Sequence, residues 1–236
     1  MARQHFKAGT LTAPLPAVMV SVGDMENANI ITIGWTGILS SDPPRTYISV
    51  RPSRHSHKII SETGEFVINL TNESLALATD YAGIYTGAKV DKFEKCRLTK
   101  EESKCVKAPT IKEAPLALEC RVFDVIHSGT HDVFLADIVN VSCDEEILDE
   151  GGRICFERAN LIAYAHGEYF KLGEKIGKFG YSTDKKNQKN GKIIESPTPC
   201  EKKAAKPPHA RGSKIKFTTK GKPKRYIGKR NGGGKK

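Results

Sequence analysis

A succession of short β-branched runs, each closed by turn-forming residues, limits this chain more than any other feature. Ala17-Val18-Met19-Val20-Ser21-Val22 stops at Gly23-Asp24, and Asn29-Ile30-Ile31-Thr32-Ile33-Gly34-Trp35 follows it. Thr46-Tyr47-Ile48-Ser49-Val50-Arg51 alternates between Asp42-Pro43-Pro44 and Pro52, and Glu65-Phe66-Val67-Ile68-Asn69-Leu70 is a fourth run. Such segments read as strands, because branched side chains suit a pleated surface and Gly, Pro and Asp end the ladder. Leu116 to His127 is longer, and its apolar side changes at Val122-Phe123, which predicts a bulge or bend. Val133 to Ser142 returns antiparallel to it across Ser128-Gly129-Thr130, and Leu161 to His166 predicts a late strand. Two short helices fit between the runs. One covers about Arg54 to Thr63 with Ser53 as N-cap and Gly64 after its end; the other covers Glu73 to Ala82 with Asn72 as N-cap and Gly83 after its end. Helical crossovers are too few for a parallel sheet, so the pattern predicts a mainly β, antiparallel barrel.

Charge is distributed unevenly along the chain. The overall formal charge is +11, yet residues 183–236 hold 18 Lys and Arg against 3 acids, while residues 1–182 hold 20 against 24. The expected organisation is therefore a mildly acidic domain over 1–182 and a basic tail over 183–236. That tail has 5 Pro, 7 Gly and only Phe217 and Tyr226 as aromatics. It has too little apolar surface to offset its ordering entropy and is predicted to be disordered. Its cations suit either a solvated extension or contact with nucleic acid or another polyanion. No apolar run approaches a bilayer span, and no apolar stretch follows the basic N-terminus, so a cytoplasmic location without a membrane span is expected. The six cysteines form no C-x-x-C pair and are expected to be reduced.

Several segments carry possible chemistry. From Thr32 through Gly34, Trp35, Thr36 and Gly37 to Ser40, glycines permit close backbone approach, the lone tryptophan offers a ring surface, and hydroxyls offer polar contacts. The same residues also suit an ordinary strand, turn and core tryptophan. Arg51-Pro52-Ser53-Arg54-His55-Ser56-His57-Lys58 opens a helix. Its free N–H groups, hydroxyls and cations suit a phosphate, and basic residues in a first helical turn oppose the helix dipole unless an anion is present. Lys92, in Val90-Asp91-Lys92-Phe93, is placed to reach the same anion; His131, beside a hairpin turn, and Tyr164 are candidates to face a bound ring. Each of these three also suits a purely structural position. P-loop, G-x-G-x-x-G and G-x-S-x-G patterns do not occur, and no recognisable metal-ligand spacing does either.

Taken in order, these segments resemble the flavin reductase-like family of the FMN-binding split barrel, most of all its flavoredoxin branch. The resemblance runs from Val20-Ser21-Val22-Gly23 through Asn29-x-x-Thr32-x-x-Trp35-Thr36-Gly37, Ser41-Asp42-Pro43-Pro44 and Gly64-Glu65-Phe66-Val67-x-Asn69. It continues through Val90-Asp91-Lys92-Phe93, Ala114-Pro115-x-x-x-Glu119-Cys120, His131 with Phe134–Val139, and Tyr169-x-x-Leu172-Gly173. It implies an antiparallel Greek-key split barrel, a homodimer, bound FMN, and NADH or NADPH as electron donor. By position, Trp35, Ser56, Lys92, His131 and Tyr164 are the implied flavin contacts, with Thr32, Thr36, Gly37 and Ser40 beside them. Arg51 and Ser53 are added from the phosphate argument. The implied activity is flavin reduction by a nicotinamide nucleotide. The alternative is a flavoredoxin-type electron carrier served by a redox partner protein, with the basic tail as an anion-binding extension.

Overall fold

The computed structural model describes residues 2–183. The chain divides into two units, Met1–Ile176 and Gly177–Lys236, and the second contributes a described 3-10 turn at Tyr181–Thr183. The expectation of a disordered basic tail falls, past Thr183, outside the described residues.

The first unit is built on strands β1 (Leu15–Pro16), β2 (Val18–Val22), β3 (Asn29–Ile33), β4 (Thr36–Ser41), β5 (Pro44–Val50) and β6 (Glu65–Leu70). It continues with β7 (Lys100–Glu101), β8 (Thr110–Ile111), β9 (Leu116–Ser128), β10 (His131–Cys143), β11 (Ile162–Ala165) and β12 (Glu168–Lys171). Its α-helices are α1 (His55–Thr63), α2 (Ala76–Ile84) and α3 (Lys92–Cys96). Seven strands form one antiparallel sheet in the order β3-β2-β6-β9-β10-β5-β4. Strands β1, β11 and β12 form a second sheet, and β7 pairs with β8.

The large sheet has to curl. β3 and β4 lie at its opposite edges, yet only Gly34 and Trp35 join them. So short a connection reaches about 11 Å at full extension, so the two edges must meet. The core confirms the closure. Val18, Val20 and Val22 from β2, Ile31 and Ile33 from β3, and Ile48 and Val50 from β5 bury into one cluster with Phe66, Ile68, Cys120 and Phe134. Alternate residues of the same strands point outward, and a second layer covers them. Met19 and Ile30 pack with Leu75, Ala82, Phe93 and Ile111. Because both faces are covered, β2 is buried along its whole length; its apolar run is interrupted only by Ser21, whose hydroxyl donates to Pro109 O at 2.5 Å.

The irregularity expected at Val122-Phe123 is a bulge. Leu135 pairs with Asp124 and Ala136 with Val122, which leaves Phe123 as the extra residue. Gly129, at φ 58°, turns the β9–β10 hairpin. Three local expectations need correction. Arg54, rather than Ser53, is the N-cap of α1, and it makes no side-chain cap bond. The helix over 73–82 is a 3-10 turn at Glu73–Leu75 leading into α2; Asn72 caps that turn, accepting from Leu75 N, as expected. Gly83 lies inside α2 instead of ending it. A Cβ there would stand 3.3 Å from the Thr32 side chain, so its role is close helix–strand approach. Thr36–Ser41 forms a strand of its own after Trp35.

No helix among the described residues is long and apolar enough to cross a membrane.

Candidate functional site

A cleft of about 480 Å³ opens at the seam where the barrel edges meet. β3 and its exit supply Thr32, Gly34 and Trp35; the end of β5 supplies Val50 and Arg51; Arg54 precedes α1. Asp80, Gly83 and Ile84 come from α2, His131 from the start of β10, and Tyr164 and Tyr169 from β11 and β12. Most lie at or near a strand or helix end, where the regular ladder stops and side chains can converge; Asp80 lies midway along α2.

One wall is aromatic. Trp35 and His131 lie with ring centroids 4.5 Å apart, tilted by 38°, and Tyr164 and Tyr169 meet edge-on at 5.4 Å. Trp35 is 39 % exposed and Ile84 is 66 % exposed at the cleft. Large apolar groups left open around a concave lining mark a binding surface better than scattered surface residues do.

The side of the cleft toward α1 is cationic and lies within electrostatic reach of His131. Arg51 and Arg54 line the cleft, and a smaller cavity of about 80 Å³ adjoins it, lined by Ser53, Arg54, Ser56, Thr86, Gly87 and Lys92 among others. The first turn of α1 faces this region with no acidic residue and no side-chain cap. The His55 and Ser56 amides and the positive dipole end are therefore available to an anion, while the His57 amide donates to Arg54 O. Burial, then Arg51 and Arg54, push the His131 pKa below its usual value, so this ring is neutral at neutral pH. Burial, then Arg54, lowers Lys92 to about 8. Across the cleft, burial and then Asp80 raise the Tyr169 hydroxyl to about 12.

The structure brings together most of the residues singled out from the sequence. Thr32, Trp35, Arg51, His131 and Tyr164 line the main cleft, and Ser53, Ser56 and Lys92 line the adjoining cavity. Lys92 is tied down more tightly than the sequence suggests. It is 4 % exposed, and its Nζ donates to the Ile30 and Ala82 carbonyls, both at 2.7 Å. Two of its three N–H groups are thus spent on the backbone. Ser56 is also buried, and its Oγ accepts from Asn29 Nδ2 at 2.8 Å.

Thr36, Gly37 and Ser40 are not in either lining. They lie on edge strand β4, where Thr36 Oγ1 donates to Tyr47 O at 2.5 Å, Gly37 O accepts from Thr46 Oγ1 at 2.9 Å and Ser40 Oγ donates to Asp42 O at 3.2 Å. Lys58 also leaves the cationic group, since it faces Glu62 at 3.8 Å on the exposed side of α1. Asp80, Gly83, Ile84 and Tyr169 are lining residues that sequence reasoning passes over. Their signal is tertiary: α2 and the β11–β12 hairpin reach the seam only once the barrel has closed.

Comparison with known proteins agrees with this architecture. Residues 11–173 match the family described as flavin reductase like domain. Flavoredoxin of Desulfovibrio vulgaris (Miyazaki F) superposes with a TM-score of 0.73 and 30% identity, covering 78% of this chain and 100% of that one. Flavoredoxin from Methanosarcina acetivorans superposes with a TM-score of 0.70 and 25% identity, covering 75% and 95%. An uncharacterized protein of Archaeoglobus fulgidus is 37% identical over 136 residues, 58% of this chain and 76% of its own. With the split-barrel fold and its seam in place, the match over most of the described residues shows that this chain belongs to the flavin reductase-like family.

Proposed function

We propose that the chain is a cytoplasmic FMN-binding flavoprotein acting as an NAD(P)H-dependent flavin reductase, which passes electrons from a reduced nicotinamide nucleotide through the flavin. The observation that carries this reading is the mixed lining of the seam cleft: an aromatic wall at Trp35 and His131, and two guanidinium groups, Arg51 and Arg54, beside the uncapped start of α1. That matches a flat ring joined to a phosphate of roughly −1.5 to −2 charges. Trp35, His131, Tyr164 and Thr32 would hold the ring; Arg51, Ser53, Arg54 and Ser56 would hold the phosphate, with Lys92 in the same cavity as Ser53 and Ser56.

FMN, when bound, supplies the hydride and single-electron chemistry. The protein's part is to bind, orient and exclude water. Neutral His131 exchanges a hydrogen bond with Thr130 Oγ1 through Nδ1 at 2.9 Å, which steadies the ring against Trp35. Holding two reactants in register lowers the barrier without a dedicated acid or base.

Membership of the family and the likeness to two flavoredoxins support flavin binding. The likeness to flavoredoxin along that chain's whole length also favours a second reading, in which the protein is an electron carrier fed by a partner protein. A homodimer is part of the proposal: Ile38 and Leu39 on β4 are 68 % and 49 % exposed, beside Thr36, Gly37 and Ser40. Sedimentation equilibrium tests it, and a monomer would remove it. The basic residues past Thr183 are proposed as a secondary polyanion contact, which truncation at Thr183 would abolish.

The central test is titration with FMN, followed through the single tryptophan, Trp35, whose emission a flavin on the cleft wall should quench. Arg54→Ala should weaken FMN by about tenfold, as loss of a charge-assisted bond implies, while riboflavin affinity holds. A protein that neither carries nor takes up FMN defeats the proposal. Rapid oxidation of NADH or NADPH by the FMN-loaded protein supports the reductase; silence with both supports the carrier.

A further inference from the structure

Three segments that carry cleft residues meet at one carboxylate that the electron-transfer reading does not use. Asp132 follows His131 on β10 and is 9 % exposed. Its Oδ2 accepts from His57 Nε2 at 2.7 Å, and its Oδ1 accepts from His127 Nδ1 at 2.7 Å. His57 lies in the first turn of α1, immediately after Ser56 and three residues after Arg54, and its main-chain N–H donates to Arg54 O at 2.9 Å. His127 lies near the end of β9, opposite Asp132 in the hairpin. On its other side Asp132 pairs in register with Val50, the residue before Arg51.

The two histidines differ in what holds them. The His57 side chain is 16 % exposed and its ring meets Phe134 edge-on at 5.1 Å, whereas the His127 side chain is 83 % exposed. The His57–Asp132 bond is therefore the one protected from water, and it ties the helix start to the hairpin. The hydrogen bond from His127 is the largest effect holding the Asp132 carboxyl below its usual pKa, so both oxygens act as acceptors.

We infer that Asp132 is a positioning residue: through His57 it fixes the cationic end of the cleft, Arg51 and Arg54, at a set distance from the ring wall made by His131 and Trp35. The inference rests on the reading of the cleft as an FMN site. It assigns to Asp132 the coupling between the two ends of that site and no contact with the ligand. A ligand that spans both ends needs the clamp, and a ligand that uses only the aromatic end does not.

The test compares FMN with riboflavin, which has the same ring and no phosphate, by fluorescence titration of the full chain. Asp132→Ala should lower the ratio of FMN affinity to riboflavin affinity by about tenfold, a coupling normal for residues in one network. Asp132→Asn keeps one acceptor and one donor and should hold that ratio within about threefold, since neutral imidazoles can donate to one and accept from the other. Should Asp132→Ala fail to fold, His57→Gln removes the protected partner alone, and the same fall in the ratio is expected of it. If the wild-type chain binds FMN and these variants keep its preference for FMN, or lose affinity for both flavins equally, the positioning role is overturned and the cofactor reading stands. If the wild-type chain binds neither flavin, both fall together.

Discussion

Between pH 8 and 10.5 the folded chain should gain stability through Lys92 alone. This lysine is 4 % exposed, and burial lowers its pKa from 10.5 to about 8. The ammonium is retained at neutral pH because the Ile30 and Ala82 carbonyls accept from it. In the unfolded chain the same amine stays protonated up to 10.5. Between the two values the unfolded state binds more protons than the folded one, so unfolding becomes less favourable as pH rises. The destabilisation is complete below the folded value and relieved above the unfolded one. At about 1.36 kcal/mol per pH unit, the fall from 10.5 to about 8 amounts to roughly 3 kcal/mol. The assay is urea denaturation of the wild-type chain and Lys92→Met at intervals from pH 7 to pH 10.5. Subtracting the variant cancels the titration of the tyrosines and cysteines common to both. The wild-type advantage should grow by roughly 3 kcal/mol across that range. A difference that stays flat would refute the reasoning, because it would mean that the ammonium is as well solvated in the fold as in the open chain.

Two substitutions check the supports of the site. Gly87→Ala would place a Cβ 2.0 Å from Asn29 Oδ1, forcing that side chain off Ser56 and costing about 1–3 kcal/mol; a denaturation midpoint matching wild type would contradict this. Glu119 is 1 % exposed and accepts from Lys104 N at 3.0 Å, Cys105 N at 2.6 Å and Asn140 Nδ2 at 2.8 Å. Glu119→Gln turns one of those acceptors into a donor facing a donor and should cost about 1–3 kcal/mol, with faster hydrogen exchange at the Lys104 and Cys105 amides. Unchanged exchange there would show that the loop is held by other contacts.

Much of the fold was legible because strand signals are local. Glu65–Leu70 has the bounds its pattern implies, and the switch of apolar side at Val122-Phe123 corresponds to the unpaired Phe123. Errors arose where two local rules competed. Gly83 has the composition of a helix end, yet it lies within α2, where it packs so close to Thr32 that a Cβ would stand 3.3 Å from that side chain. Ser53 is a better capping residue than Arg54, yet the turn from Arg51 brings the chain into helix one residue later. The site was partly legible for the same reason. Trp35, Arg51 and His131 lie beside recognisable strand ends and turns, whereas nothing near Asp80 or Tyr169 in the chain connects them to Trp35.

The sequence by itself determined an antiparallel, mainly β chain with an acidic domain, a basic tail and a cationic helix start, because alternation, turn chemistry and charge are properties of neighbouring residues. The tertiary structure decided where a ligand can sit. Joining opposite edges of a seven-stranded sheet through Gly34 and Trp35 closes the barrel, and that closure creates the seam at which α2, the β11–β12 hairpin and the start of β10 converge. It also decided that Lys92 faces two backbone carbonyls and that His57 and His127 share Asp132. Those partners lie on separate elements, and only the packed fold brings them within hydrogen-bonding distance.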